Sequence, residues 1–98
     1  MKNYKIKMLP AATIDLGDMI NYLSQFYSST ALKQYDRIIE KINTLKEFPL
    51  MCEEYPIEIM GRKYRKMVVN DYLVFYLVLE DTIEIHRIIN AKMDLTII

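Results

Sequence analysis

The chain is short of the residues that build cross-linked and metal-held scaffolds. Its 98 residues include one cysteine, Cys52, and one histidine, His86. A single cysteine closes no internal disulfide, and one of each residue cannot assemble a standard zinc site. No metal and no cofactor are therefore expected. Two glycines and three prolines exclude a linker-rich or low-complexity chain. No apolar run approaches the length of a membrane span. The opening MKNYKIKMLP has lysines but no apolar core followed by small residues, so it is not a secretory signal. A reducing cytoplasm is the expected compartment, with no membrane partner. Positive charge is not in excess either, since 13 Lys and Arg balance 13 Asp and Glu. Tight binding to a phosphate backbone draws on a surplus of cations, so a general nucleic-acid binder is disfavoured and a local basic patch stays open.

What is present is a globular composition, 52% apolar and 27% charged. At this length one domain, residues 1–98, with two packed layers is the natural limit. Tyr4 to Met8 alternates apolar and basic residues, the period of a half-exposed strand, and Pro10 suits a first helical turn. Leu16, Met19, Ile20, Leu23 and Phe26 or Tyr27 then recur at helical spacing. Ser28-Ser29-Thr30 offers an N-cap, and Leu32, Tyr35, Ile39, Ile42 and Leu45 restart the stripe up to Phe48-Pro49. So short a break predicts an antiparallel helical hairpin. Residues Pro49 to Pro56 show no period and read as a loop. From Ile57 onward the residues are those of strands, at Lys63–Val69, Tyr72–Leu79 and Thr82–Ile89, with turns at Asn70-Asp71 and Glu80-Asp81. Turns this short predict an antiparallel meander. The expected fold is α+β: an N-terminal strand and a helical hairpin packed on one face of that meander.

The densest charge lies in GRKYRK, where Arg62, Lys63, Arg65 and Lys66 precede an apolar strand. Two readings stand side by side: a patch for target phosphates or carboxylates, and a sheet edge guarded by charge. On a flat strand Arg65 and Lys66 point to opposite faces, so they do not share one site. His86 alternates with Ile85 and Arg87 inside a strand and has no evident acid partner, which favours a structural role. Cys52 beside Glu53 and Glu54 reads as an inert thiol. The seven methionines fall mostly at core-compatible positions, Met19 and Met67 among them.

More specific wording runs from Tyr64-Arg65-Lys66-Met67-Val68-Val69-Asn70-Asp71-Tyr72-Leu73-Val74-Phe75-Tyr76 to Ile85-His86-Arg87-Ile88-Ile89-Asn90-Ala91-Lys92-Met93-Asp94. Together with Pro10-Ala11-Ala12, Asp15-Leu16, Ile20-x-Tyr22-Leu23 and Leu45 before Pro49, it resembles the RelE/ParE superfamily of type II toxins over nearly the whole chain. The resemblance implies a toxin of a toxin–antitoxin or plasmid-stabilisation module that inhibits growth, held inactive by an antitoxin in a hetero-oligomeric complex. It also implies one of two targets. RelE-like members cleave messenger RNA on the ribosome without a metal, and ParE-like members poison DNA gyrase. For a nuclease the matching residues are Lys66, Arg65 and Lys92, yet Leu73 occupies the position of a post-turn arginine. Leu95-Thr96-Ile97-Ile98 also lacks the expected tyrosine or histidine. The Tyr72-Leu73-Val74-Phe75-Tyr76 wording is closer to the ParE-like branch, although Asn90 replaces that branch's histidine. The reading is a ParE-like toxin acting by protein contact rather than as an enzyme. Arg62, Arg65, Lys66, Arg87 and Lys92 are its expected target-binding residues, and Tyr72 and Tyr76 are the aromatic surface expected to meet the antitoxin. The alternatives are an atypical RelE-like endoribonuclease and a degenerate member that retains only antitoxin binding.

Overall fold

The structure, a computed structural model, describes residues 3–56 and 58–92. Strand β1, Lys5–Met8, leads through Leu9 into helix α1, Pro10–Ser24, with Pro10 in the first turn. There its missing N–H costs no helical bond. Ala12, Leu16 and Met19 form the buried face of α1. Helix α2 spans Ser28–Thr44 and buries Ala31, Ile38 and Ile42. Strands β2, Arg65–Val69, β3, Tyr72–Val78, and β4, Thr82–Asn90, follow.

The meander is antiparallel as expected, and β1 adds to it in parallel beside β4, giving a mixed sheet in the order β1-β4-β3-β2. The α+β architecture and the helical hairpin stand as the sequence predicts. Three local expectations do not. Phe26 and Tyr27 are exposed, because α1 ends at Ser24 before the apolar stripe does. Leu32 is also exposed, and its place on the buried stripe is taken by Ala31 and Ile38, an equally helical spacing whose small first residue lets the helices approach. No side chain caps the start of α2, where Tyr27 is the cap residue and Ser28 already lies inside the helix.

Two cores result, one on each face of the sheet. The helix side holds Leu16, Met19, Ile38, Ile42, Leu45, Met67, Val74, Tyr76, Ile83 and Ile85. The other face holds Tyr64, Leu73, Phe75, Leu77 and Ile89, with Tyr55 and Ile59 of the preceding segment packed on it. Strand β3 is thus buried on both sides, which is why YLVFYLV is an unbroken apolar run instead of an alternating one. The segment before β2 does the covering. Its Tyr55 N–H donates to the Tyr64 carbonyl at 2.7 Å, and Ile59 and Arg62 exchange both backbone bonds at 3.0 Å around a two-residue turn. Met60 and Gly61 at the tip both have positive φ, 52° and 77°, the twist such a tight hairpin requires.

Strand β4 carries a bulge. Phe75 lies opposite Arg87 and Tyr76 opposite Ile85, which leaves His86 as the extra residue. The helix-side residues of β4 are consequently Ile83, Ile85 and Ile88, a spacing of two and then three.

Candidate functional site

Strand geometry separates the basic residues. Arg65 lies opposite Tyr76 on the helix side, and its Nη1 donates to the Cys52 carbonyl at 2.6 Å. That contact pins the loop before β2 to the sheet. Lys66 lies on the other face, with its Nζ 5.8 Å from the centroid of the Tyr55 ring, within cation–π range. The Lys66 N–H points outward and donates to Glu53 O at 3.2 Å, so the outer edge of β2 is partly covered by chain. Leu73, in the place of an arginine, is packed into the second core. Arg62 is exposed beside the hairpin tip, and Lys92 lies exposed just past β4, its backbone N–H donating to Asn90 Oδ1 at 2.9 Å. Leu95 to Ile98 and Met93-Asp94 lie outside the described residues.

Arg87 is held at the free edge of β4. Pairing with β1 ends at Met8 opposite Ile85, so among the described residues no strand pairs with the next stretch of β4 on that side. Asp15 of α1 fills the place. Its carboxylate accepts from Arg87 Nε at 2.8 Å and Nη2 at 2.9 Å, and from the Ile88 backbone N–H at 2.8 Å. Both side chains are largely shielded, 22% exposed for Arg87 and 10% for Asp15. The Asp15 hydrogen bonds raise the Arg87 guanidinium above its ordinary value. This fork-to-fork pair joins α1 to the sheet.

Just beyond it, α1 and the end of β4 enclose a groove of about 290 Å³ lined by Asp15, Asp18, Met19, Tyr22, Tyr72 and Ile88, among others. Tyr72 forms part of its wall, and burial pushes its phenol up despite a hydrogen bond with Asn90. Tyr76 corrects the expectation of an aromatic surface. It is fully buried in the helix-side core, its hydroxyl donates to the Pro49 carbonyl at 3.0 Å, and burial pushes its phenol well up. Its strand position gave no sign of this, since the helix side and the far side of β3 are both apolar.

On the other side of α1's first turn is a second cleft, about 630 Å³, between Leu9-Pro10-Ala11 and the Met60–Arg62 tip, floored by Tyr64, His86 and Arg87. Here the sequence reading of His86 is incomplete. Its Nε2 lies 3.1 Å from Glu84 Oε1, and its Nδ1 lies 3.2 Å from the Tyr64 hydroxyl. The Tyr64 and His86 rings also meet edge to face, with centroids 5.0 Å apart. Glu84 is the acid partner that linear reading did not supply, two residues back on the same strand face; Tyr64 is 22 residues away and only the sheet brings it near. Among the described residues, no group of three or more His, Cys, Asp or Glu is placed to hold a metal ion.

The sequence model of the ParE toxin of type II toxin–antitoxin systems, parDE, matches residues 6–95. The chain belongs to this family of toxins. No curated protein matches it in sequence. Among solved structures it is similar to a chain of a chromosomal ParDE toxin–antitoxin system from P. aeruginosa. That match has a TM-score of 0.75 at 21% identity and covers 89% of this chain and 95% of the other. It is also similar to a copper-bound mutant toxin from Helicobacter pylori, with a TM-score of 0.54 at 15% identity, covering 89% of this chain and 93% of that one. At these identities the two structures share the fold with this chain. Among the described residues, no helix is long and apolar enough to cross a membrane.

Proposed function

We propose that the chain is a ParE-like toxin that inhibits DNA gyrase by protein–protein contact and is neutralised by a cognate antitoxin in the cytoplasm. The observation that carries this reading is the dispersal of the cations. Cleaving RNA without a metal requires several charges aimed at one phosphate, with a base and an acid beside it. Here Arg65 is on the helix side bonded to a backbone carbonyl, Lys66 is on the opposite face, and Arg87 is clamped by Asp15. An apolar Leu73 fills the place of the remaining cation. Contact with a protein target makes no such demand, because separate cations on one surface each meet their own carboxylate. Arg62, Lys66 and Lys92 are the residues assigned to that contact, with Arg65 and Arg87 holding the surface that presents them. The family match supports the same branch.

The antitoxin is assigned to the α1–β4 groove, where Tyr72 and Tyr22 line an apolar trough continuous with exposed Phe26. A flexible segment that folds across a toxin needs apolar anchors of this kind. Such a module would stabilise a plasmid or chromosomal locus by addiction, the role that the family resemblance implies. The test is to induce the chain alone in growing bacteria and follow DNA and protein synthesis over the first minutes. DNA synthesis failing first, with a DNA-damage response, is expected. Early loss of protein synthesis with DNA synthesis intact would overturn the gyrase reading.

A further inference from the structure

The Tyr64–His86–Glu84 chain has a defined proton order. A carboxylate oxygen only accepts, so Nε2 of His86 carries the hydrogen toward Glu84 at 3.1 Å, and Nδ1 is left to accept from the Tyr64 hydroxyl at 3.2 Å. In that state the hydroxyl proton is turned into the ring and the cleft sees only its oxygen. Adding a proton to His86 reverses the second bond. Nδ1 then donates, the tyrosine oxygen accepts, and the hydroxyl proton is released to point into the cleft. One protonation therefore adds a positive charge to the floor and converts Tyr64 from an acceptor into a donor toward whatever occupies the space.

We propose that this cleft binds a tetrahedral oxyanion, a phosphate or sulfate group, and that the anion enters together with a proton on His86. Arg62 supplies the planar cation at the mouth, on a tight hairpin whose tip residue Met60 is 93% exposed and held at positive φ. Tyr64 supplies a hydroxyl donor from the floor and the protonated His86 ring, its two N–H groups held by Glu84 and the Tyr64 oxygen, supplies positive charge, with Leu9, Pro10 and Ala11 on the facing wall. Donors arriving from separate directions suit a tetrahedral anion better than a planar carboxylate. The bulge at His86 is what brings its ring and the Arg87 stem to the same cleft.

The other charged groups near the ring leave only a small positive excess. Glu84 lies behind it on β4, Lys7 of β1 stands opposite Glu84 in register with Lys5 two pairs away, and Arg87 is matched by Asp15 of α1. Strand β3 contributes Phe75 and Leu77, without charge. From the segment before β2 come Arg62 and Tyr64. The ring's own proton is therefore a large fraction of the field an anion would meet. Because binding and protonation are linked, each must favour the other by the same factor. This inference concerns a site apart from the groove assigned to the antitoxin, and it does not depend on which target the toxin reaches.

His86 is the sole histidine, so its ring gives one unambiguous magnetic-resonance signal. The experiment is to titrate that signal with pH in the full chain, in sodium chloride, sodium sulfate and sodium acetate at equal ionic strength. Sulfate and acetate keep their charge across the range in which histidine titrates. Sulfate is expected to move the midpoint upward by about half a unit or more, since a tenfold preference for the protonated form corresponds to up to one unit. Arg62→Gln, at an exposed position, is expected to abolish most of that rise, and Tyr64→Phe to reduce it. Equal midpoints in chloride and sulfate would overturn the proposal, as would a rise that survives Arg62→Gln. A rise as large in acetate as in sulfate would overturn the tetrahedral assignment.

Discussion

Replacing Asp15 with alanine is the most informative perturbation of the fold. Its carboxylate receives three hydrogen bonds, two from the Arg87 guanidinium and one from the Ile88 N–H, all at 2.8–2.9 Å. A hydrogen bond to a charged group contributes about 1.5–3 kcal/mol, and removing one member of a buried pair costs about 3–5 kcal/mol because the other charge is left behind. Arg87 is 22% exposed, so water recovers part of its solvation after the change. The Ile88 N–H, on a residue only 2% exposed, loses its acceptor and adds to the cost. The expected cost is therefore about 2–4 kcal/mol, below the fully buried limit and well above the 0–1 kcal/mol of a surface pair. Asp15→Asn keeps one acceptor for the backbone N–H and should cost about half as much. Urea unfolding of wild type, Asp15→Ala, Arg87→Met and the double variant measures both the loss and the coupling. A coupling under about 0.5 kcal/mol would refute the assignment of this pair as the joint between α1 and the sheet.

Other expectations follow from single residues. Burial raises the Tyr76 and Tyr72 phenols above 10.0, so the folded state holds protons that the unfolded chain gives up. Their contribution is complete below pH 10 and is lost as pH rises from there, at about 1.4 kcal/mol per unit for each phenol while only the unfolded form ionises. Tyr76→Phe should flatten that alkaline decline in a urea-unfolding series, and an unchanged slope would contradict the burial. Ile38 is fully buried between helices and sheet, so Ile38→Ala should cost about 3–4 kcal/mol by the same measurement. Met60, exposed at positive φ, should tolerate Met60→Gly with a gain of roughly 0.5–1 kcal/mol in stability. Leu73→Arg would place the missing nuclease cation at a position that is 7% exposed in the second core. Thermal unfolding should show a loss of about 3 kcal/mol or more, with no RNA cleavage gained.

The elements were legible where one physical signal was strong. Pro10, the period of Leu16 and Met19, and the Asn70-Asp71 turn between β-branched runs placed α1 and the meander correctly. The phase of α2 was harder, since Leu32 and Ala31 both fit a helical stripe and only the close approach of α1 selects the smaller one. The parallel docking of β1 beside β4 is a long-range pairing that local pattern does not encode. The sites were less legible for the same reason. Asp15 and Arg87 are 72 residues apart, and Tyr64 and His86 are 22 apart. The bulge at His86 shifts the face of every residue after it, so strict alternation misplaces the ring. The expectation of Tyr76 at the surface rests on motif position alone, which does not tell the two apolar faces of β3 apart; its ring is buried and the Pro49 carbonyl accepts its hydroxyl. Charge alternation did show that Arg65 and Lys66 face apart, and that dispersal underlies the gyrase reading.

Supercoiling of relaxed plasmid by purified DNA gyrase, with the purified chain added, is the most direct test of that reading. The account predicts loss of supercoiling as the chain is titrated in, relief when cognate antitoxin is added, and weaker inhibition by a chain carrying Arg62→Ala and Lys66→Ala. Undiminished supercoiling with a folded chain in molar excess, alongside cleavage of messenger RNA on ribosomes by the same preparation, would contradict it.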